Sequence, residues 1–258
     1  MGELLQQALS SGFQVFLHQR SVLFFTGIFS ILPFGLLAML FLYRLEITQD
    51  AASLLSGGLC GGILLDALSS FLIFLVSPPG WARGLLIFLV SSVWILDIVL
   101  WIRWRFHPRR NAFFYGFLIG APLLLILKLA FIHGIELPFY TDSVEHFTII
   151  QDLALRISSP HSYYNLNDLS AVYYHFGYHS LIAKQYLLTG TAINQLMLVI
   201  GQLFLAIATA GLYFPVYLAA DSKLAGLIAV CAAAFVCIMP SYGVNWGKYP
   251  TLTAFAAV

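Results

Sequence analysis

Charged residues are scarce in this sequence. Asp, Glu, Lys and Arg make up 9% of its 258 residues, whereas 60% are hydrophobic and the mean hydropathy is +0.90. Soluble domains carry about 25% charged residues. A soluble core of this length could not bury so much apolar surface, so lipid must cover part of it. We therefore predict an integral membrane protein.

Cysteine is also rare, and neither sign of charge dominates. Cys60, Cys231 and Cys237 stand in apolar runs without the spacing of a metal motif or a disulfide framework, so we expect packing roles. The formal net charge of +1 neither favours nor opposes an anionic polymer as partner. We expect no nucleic-acid partner.

Long apolar runs separated by polar breaks predict the membrane spans. A spanning helix needs about 20 apolar residues. The runs lie at 21–43, 52–76, 84–102, 112–132, 192–219 and 224–239. A seventh begins near Pro250 and continues to Val258, so we expect further chain beyond it. Residues 3–18 have the spacing of an interfacial helix. The predicted fold is all-α, a polytopic transmembrane helix bundle with a partly helical outer loop.

One short loop sets the expected orientation. Arg103, Arg105, Arg109 and Arg110 fall within nine residues, 103–111. Because Lys and Arg are enriched in cytoplasmic loops, this loop is expected in the cytoplasm. Counting spans from there places an outer loop at 133–190. Between His133 and His179 lie five of the seven histidines and five of the eleven acidic residues. Loops this long are usually functional or folded.

The first candidate site is FYTDSVEHFTIIQDLALRI, where a polar start and later apolar residues predict a helix of about 15 residues. Asp142 and His146 are four apart and share a face, which Glu145 can join. A carboxylate beside an imidazole can accept a proton, or both can ligate a cation. Asp142 and Glu145 also match a capping box, so capping alone is the alternative for Asp142.

Two further polar segments are candidates for binding. In VYYHFGYHSLIAKQYLL, His175 and His179 are four apart and could complete a metal site with His146 and Asp142. No HExxH-type base accompanies them, which favours hydrogen bonding that holds the loop on the bundle. In PSYGVNWGKYP, Lys248 either meets a phosphate or snorkels to the lipid headgroups.

Three charges lie within predicted spans. Asp66, Asp97 and Lys128 are expected to face the interior and to pair, and their depths favour a pair between Lys128 and Asp66. Alternatively they line a transport path.

The segments YTDSVEHF, YYHFGYH and WGKYP together resemble polytopic GT-C-type glycosyltransferases. The sequence looks closest to a poorly characterised bacterial branch with D-x-x-x-H and Y-x-x-G-x-H patterns. The resemblance covers residues 112–258, and leaves 1–111 as N-terminal transmembrane segments without an assigned role.

The resemblance implies transfer of a sugar from a polyprenyl-phosphate carrier to an acceptor at the extracytoplasmic face of the cell membrane. Asp142 matches the catalytic carboxylate, while Glu145 and His146 are catalytic candidates from the residues alone. The partners would be membrane lipid and the carrier-linked sugar. Lys248, Arg156 or a divalent cation such as Mg or Mn would meet the phosphate, with His175 and His179 in substrate binding. The alternatives are a transporter or flippase, or a non-catalytic membrane subunit that uses the loop for docking.

Overall fold

The fold is an all-α bundle, as predicted. The computed structural model describes residues 2–78, 80–138, 141–156 and 176–237. Within the helix at 141–156, it leaves undescribed the side chains of Thr141, Asp142, Leu155 and Arg156. In the described ranges the β-structure amounts to an isolated bridge between Asp50 and Arg109.

The helices of the described residues follow one another with short connections. In chain order they are α1 (Gly2–His18), α2 (Arg20–Arg44), α3 (Ala51–Val76), α4 (Ala82–Trp104), α5 (Ala112–Ile132), α6 (Thr141–Arg156), α7 (Phe176–Thr189), α8 (Ile193–Ala220) and α9 (Lys223–Phe235). Five of them, α2, α3, α4, α5 and α8, are long and apolar enough to cross a membrane. The chain is therefore a multi-pass membrane protein.

Five predicted spans are confirmed, and the helix at 3–18 is present as α1. The span predicted at 224–239 is instead the 13-residue helix α9. At the helical rise this is about 20 Å, short of the hydrocarbon core of about 30 Å. The seventh apolar run, from Pro250, lies outside the described residues.

A proline breaks the hydrogen-bond ladder of α2, and other helices supply the missing donors. Residues Gly27–Ile31 form a π-helical turn just before Pro33. Because Pro33 has no N–H, carbonyls one turn earlier lose their partner. Trp94 Nε1 donates to the carbonyl of Ile28 at 3.2 Å, and Lys184 Nζ donates to that of Phe29 at 3.0 Å. The break in α2 thus fixes the packing of α4 and α7 against it.

The polar connections at one end of the bundle meet at Asp50. Its carboxylate accepts from the backbone of Ser53 at 3.1 Å and from Asn111 Nδ2 at 2.6 Å. Lys223 Nζ lies 3.2 Å from the same carboxylate. The starts of α3, α5 and α9 therefore lie together, beside the connection 105–111. We call this the arginine end.

The opposite end gathers the start of α2, the turn after α5 and the start of α8. Gln195 Nε2 donates to Gln19 Oε1 at 2.5 Å, and Asn194 Nδ2 donates to the carbonyl of Glu136 at 3.0 Å. We call this the loop end. The four arginines predicted to be cytoplasmic thus share the arginine end, away from residues 133–138.

The helices differ in how far they face lipid. The apolar stretch of α8 is 89% buried, compared with 22% for both α4 and α5. The main core cluster likewise draws many of its residues from α7 and α8. These two helices form the centre of the bundle, and α4 and α5 lie at its rim.

Candidate functional site

The helix predicted in the first candidate segment is present as α6. Its 16 residues begin at Thr141 and end at Arg156. Ile150, Leu153 and Ala154 are buried in the main core cluster, which includes residues of α7 and α8. Burial of this apolar face holds α6 against the bundle, and the polar start of the helix is anchored with it.

The predicted outer loop includes a helix that packs inside the bundle. Lys184 and Gln185 of α7 are 0% and 1% exposed. Gln185 Nε2 donates to Ser30 Oγ at 2.7 Å, and the Tyr178 hydroxyl donates to the carbonyl of Met197 at 3.4 Å. Ser30 and Met197 both belong to the loop-end halves of their helices. The helix α7 therefore lies within the loop-end half of the bundle.

Two candidate histidines from separate segments meet between α6 and α7. His146 Nδ1 lies 3.0 Å from His179 Nε2, and the side chains are 3% and 0% exposed. The ring of Tyr178 stands edge-on to both imidazoles. Since one ring nitrogen must donate and the other accept, this hydrogen bond holds a single proton between the two atoms. The hydrogen bond joins α6 to α7, so the pair positions α6.

The other predicted site residues are placed only in part. Glu145 is exposed on α6. Asp142 stands in the first turn of α6 and Arg156 at its end, with both side chains outside the described residues. His175 and Lys248 lie outside the described residues altogether.

A metal centre is not formed by the described side chains. Among them, no group of three or more His, Cys, Asp or Glu lies close enough to hold a metal ion. The described part of the site therefore offers the histidine pair without a third ligand. The metal site suggested for His146 with Asp142, His175 and His179 involves side chains beyond this set.

The predicted pair between Lys128 and Asp66 is wrong. The Asp66 carboxylate forms a fully buried salt bridge with Lys184 of α7, and also accepts from the Ser70 hydroxyl at 3.1 Å. Lys128 Nζ instead reaches the carbonyl of Ala234 at 3.5 Å. Lys184 falls within the predicted outer loop at 133–190, so it is not among the charges of the predicted spans. A single lysine within the run LIAKQYLL was the available signal.

Asp97 is the other buried charge of the spans. It is 0% exposed, and neither carboxylate oxygen has a hydrogen-bond partner in the part of the chain that the structure describes. An intramembrane ionisable group of this kind is commonly functional. Its neighbours on the same face of α4, Val93 and Leu100, pack in apolar clusters.

Comparison with known proteins leaves the family open: no family model, no curated protein and no solved structure matches the chain.

Proposed function

We propose that the chain is a membrane glycosyltransferase of the GT-C type. It would transfer a sugar from a polyprenyl-phosphate carrier to an acceptor hydroxyl at the extracytoplasmic face of the cell membrane. The support is the sequence resemblance, together with one structural observation. His146, the last residue of the D-x-x-x-H pattern, lies on α6. It contacts His179, the last residue of the Y-x-x-G-x-H pattern, on α7.

The location of this contact suits a lipid-linked donor. Both helices lie at the loop-end half of a bundle whose rim helices expose apolar side chains to lipid. A polyprenyl chain can therefore stay in the membrane while its phosphate and sugar reach the polar start of α6. Because the arginine-rich connection is at the other end, the positive-inside rule places this half on the extracytoplasmic side.

The proposed reaction is a displacement at the anomeric carbon. The Asp142 carboxylate takes the proton of the acceptor hydroxyl, and that oxygen forms the new bond to the anomeric carbon. The bond from this carbon to the carrier phosphate breaks, and the phosphate leaves with the electron pair. Lys248 or Arg156 would stabilise the anion. The histidine pair would position α6, and no step is routed through a metal ion.

Asp142→Asn tests the proposal. Asn caps a helix about as well as Asp, so the fold should be kept. Loss of a general base should lower the transfer rate by about 10²–10⁴. Transfer from a polyprenyl-phosphate sugar would be measured with the chain in membranes, alongside the melting temperature. Glu145→Gln and His146→Ala are expected to have smaller effects.

A stable Asp142→Asn variant with near-normal transfer would remove Asp142 from catalysis and leave it as a cap. Absence of transfer by the unmodified protein, across several carrier-linked sugars, would contradict the proposed function itself.

The transporter alternative depends on the charges within the spans. Asp66 is paired with Lys184 and Ser70 in the core. This pairing favours a structural role for Asp66 over a place in a path for substrate.

A further inference from the structure

A polar cleft lies at the loop end, on the side of α8 that faces α1. Its volume is about 580 Å³, and it is bounded by the second half of α1, the turn after α5 and the first turns of α8. This volume is within the range of about 300–1,000 Å³ for small-molecule sites. None of its described lining residues belongs to α6 or α7, and neither His146 nor His179 is among them.

Neutral amides dominate the polar lining. Four amide side chains of the described residues contribute to it: Gln14, Gln19, Asn194 and Gln195. An amide offers both a donor and an acceptor, which is what a hydroxyl group needs as a partner. Gln195 Nε2 donates to Gln19 Oε1, and Asn194 Nδ2 donates to the carbonyl of Glu136. Each of these three amide side chains therefore uses one of its two polar atoms. The second polar atom of each of these amides has no hydrogen-bond partner among the described residues, so it can serve a ligand.

The charges of the cleft argue against an anion. Glu136 supplies a carboxylate, and no Lys or Arg is among the lining residues described. His133 bonds to Gln14 at 3.1 Å, while His18 is exposed to the cleft. Among the described lining residues a phosphate would meet like charge and find no permanent cation. A hydroxyl-rich ligand would find donors and acceptors on both sides.

Apolar side chains complete the lining. Val15, Ile132 and Leu198 form part of the wall. Sugar rings combine hydroxyl edges with C–H faces, and this mixture of amides and aliphatic surface matches both. We propose that the cleft binds a neutral, hydroxyl-rich headgroup, of the chemical class of an uncharged sugar. This binding goes beyond the proposed function and does not rest on it.

Photolabelling of the full chain tests the assignment. The protein would be placed in phosphatidylcholine nanodiscs and labelled with a diazirine-bearing octyl glucoside, with peptides located by mass spectrometry. Octyl phosphate and octyltrimethylammonium probes with the same photoreactive group serve as the anionic and cationic comparisons. We expect saturable glucoside labelling at the peptides of α1, α5 and α8 that line the cleft, and weak labelling there by the other two.

Two variants identify the interactions, and a third is the control. His18→Leu removes a side chain without breaking a described hydrogen bond, and should weaken glucoside binding about fivefold through one lost hydrogen bond. Glu136→Gln keeps an acceptor and removes the charge, so glucoside labelling should persist. Gln7→Leu, on α1 but in a neighbouring hollow beside Leu127, should change nothing.

Glucoside labelling that spreads evenly over the protein, or ignores His18→Leu, would overturn the proposal. Stronger labelling of the cleft peptides by the phosphate probe than by the glucoside would also overturn it. So would labelling of these peptides by the ammonium probe that is lost in Glu136→Gln. The readout does not depend on sugar transfer. Labelling without transfer would contradict the proposed function alone, and transfer without labelling would contradict the cleft alone.

Discussion

Lys184 is a fully buried charged side chain of the described core. Its ammonium group donates to the carbonyl of Phe29, pairs with Asp66 and lies 5.2 Å from the centre of the Phe34 ring. Two charges buried together cost desolvation that their attraction offsets only with good geometry. Removing one of them leaves the other without compensation. The pair is therefore a strong constraint on how α7 seats against α2 and α3.

We expect Lys184→Met to destabilise the protein by about 3–5 kcal/mol, because it leaves a buried carboxylate unpaired. The double variant with Asp66→Leu should be more stable than the single one, although Phe29 loses its donor in both. Denaturant unfolding in detergent would measure this cycle. Lys223→Met is the matched control: its pair with Asp50 is 36% exposed on the lysine side, and an exposed pair contributes about 0–1 kcal/mol. The expectation would be contradicted if the losses in unfolding free energy of Lys184→Met and Asp66→Leu simply add in the double variant.

The first helix depends on one close approach to the bundle. The backbone of α1 contacts α5 at Gly12, where an added Cβ would stand 1.9 Å from the carbonyl oxygen of Ile126. The obstacle is backbone and cannot rotate away. The helix α1 supplies one wall of the polar cleft. Glycine at this position is therefore a condition for the cleft to form.

Gly12→Ala should loosen α1, at a cost of about 1–3 kcal/mol from overpacking. A short bismaleimide would cross-link Gln14→Cys to His133→Cys, in a background where Cys231 and Cys237 are serine. The yield should fall several-fold when Gly12→Ala is added. Gly2→Ala is the control on the same helix, since nothing lies within 4 Å of its added Cβ. Equal yields in both variants would show that α1 does not dock as described.

Charge divides the whole molecule into two ends. Arg44, Arg103, Arg105, Arg109, Arg110 and Lys223 all lie at or beside the arginine end, with Arg20 and Arg83 at the other. This asymmetry predicts a cytoplasmic arginine end. In intact cells, a membrane-impermeant maleimide should modify Leu137→Cys and spare His107→Cys, with Cys231 and Cys237 replaced by serine. Both positions are exposed in the structure. The reverse labelling would contradict the proposed extracytoplasmic site.

The sequence alone determined five of the predicted spans and the existence of α6. A spanning helix can be identified from the sequence alone, because the bilayer sets a minimum number of consecutive apolar residues. The polar start and apolar continuation of residues 141–156 likewise needed no partner to be identified. The sequence also indicates His146 and His179 as candidate residues, but not the contact between them.

Tertiary structure decided which helices are central and which charges pair. By composition α5 and α8 are alike as spans, yet one is at the rim and the other in the core. Lys184 of α7 meets both Asp66 of α3 and the carbonyl of Phe29 in α2, so this contact joins three segments that are distant in the sequence. The polar cleft also joins three segments, none with a motif of its own. Such contacts depend on relative helix positions, which packing fixes and local sequence patterns do not encode.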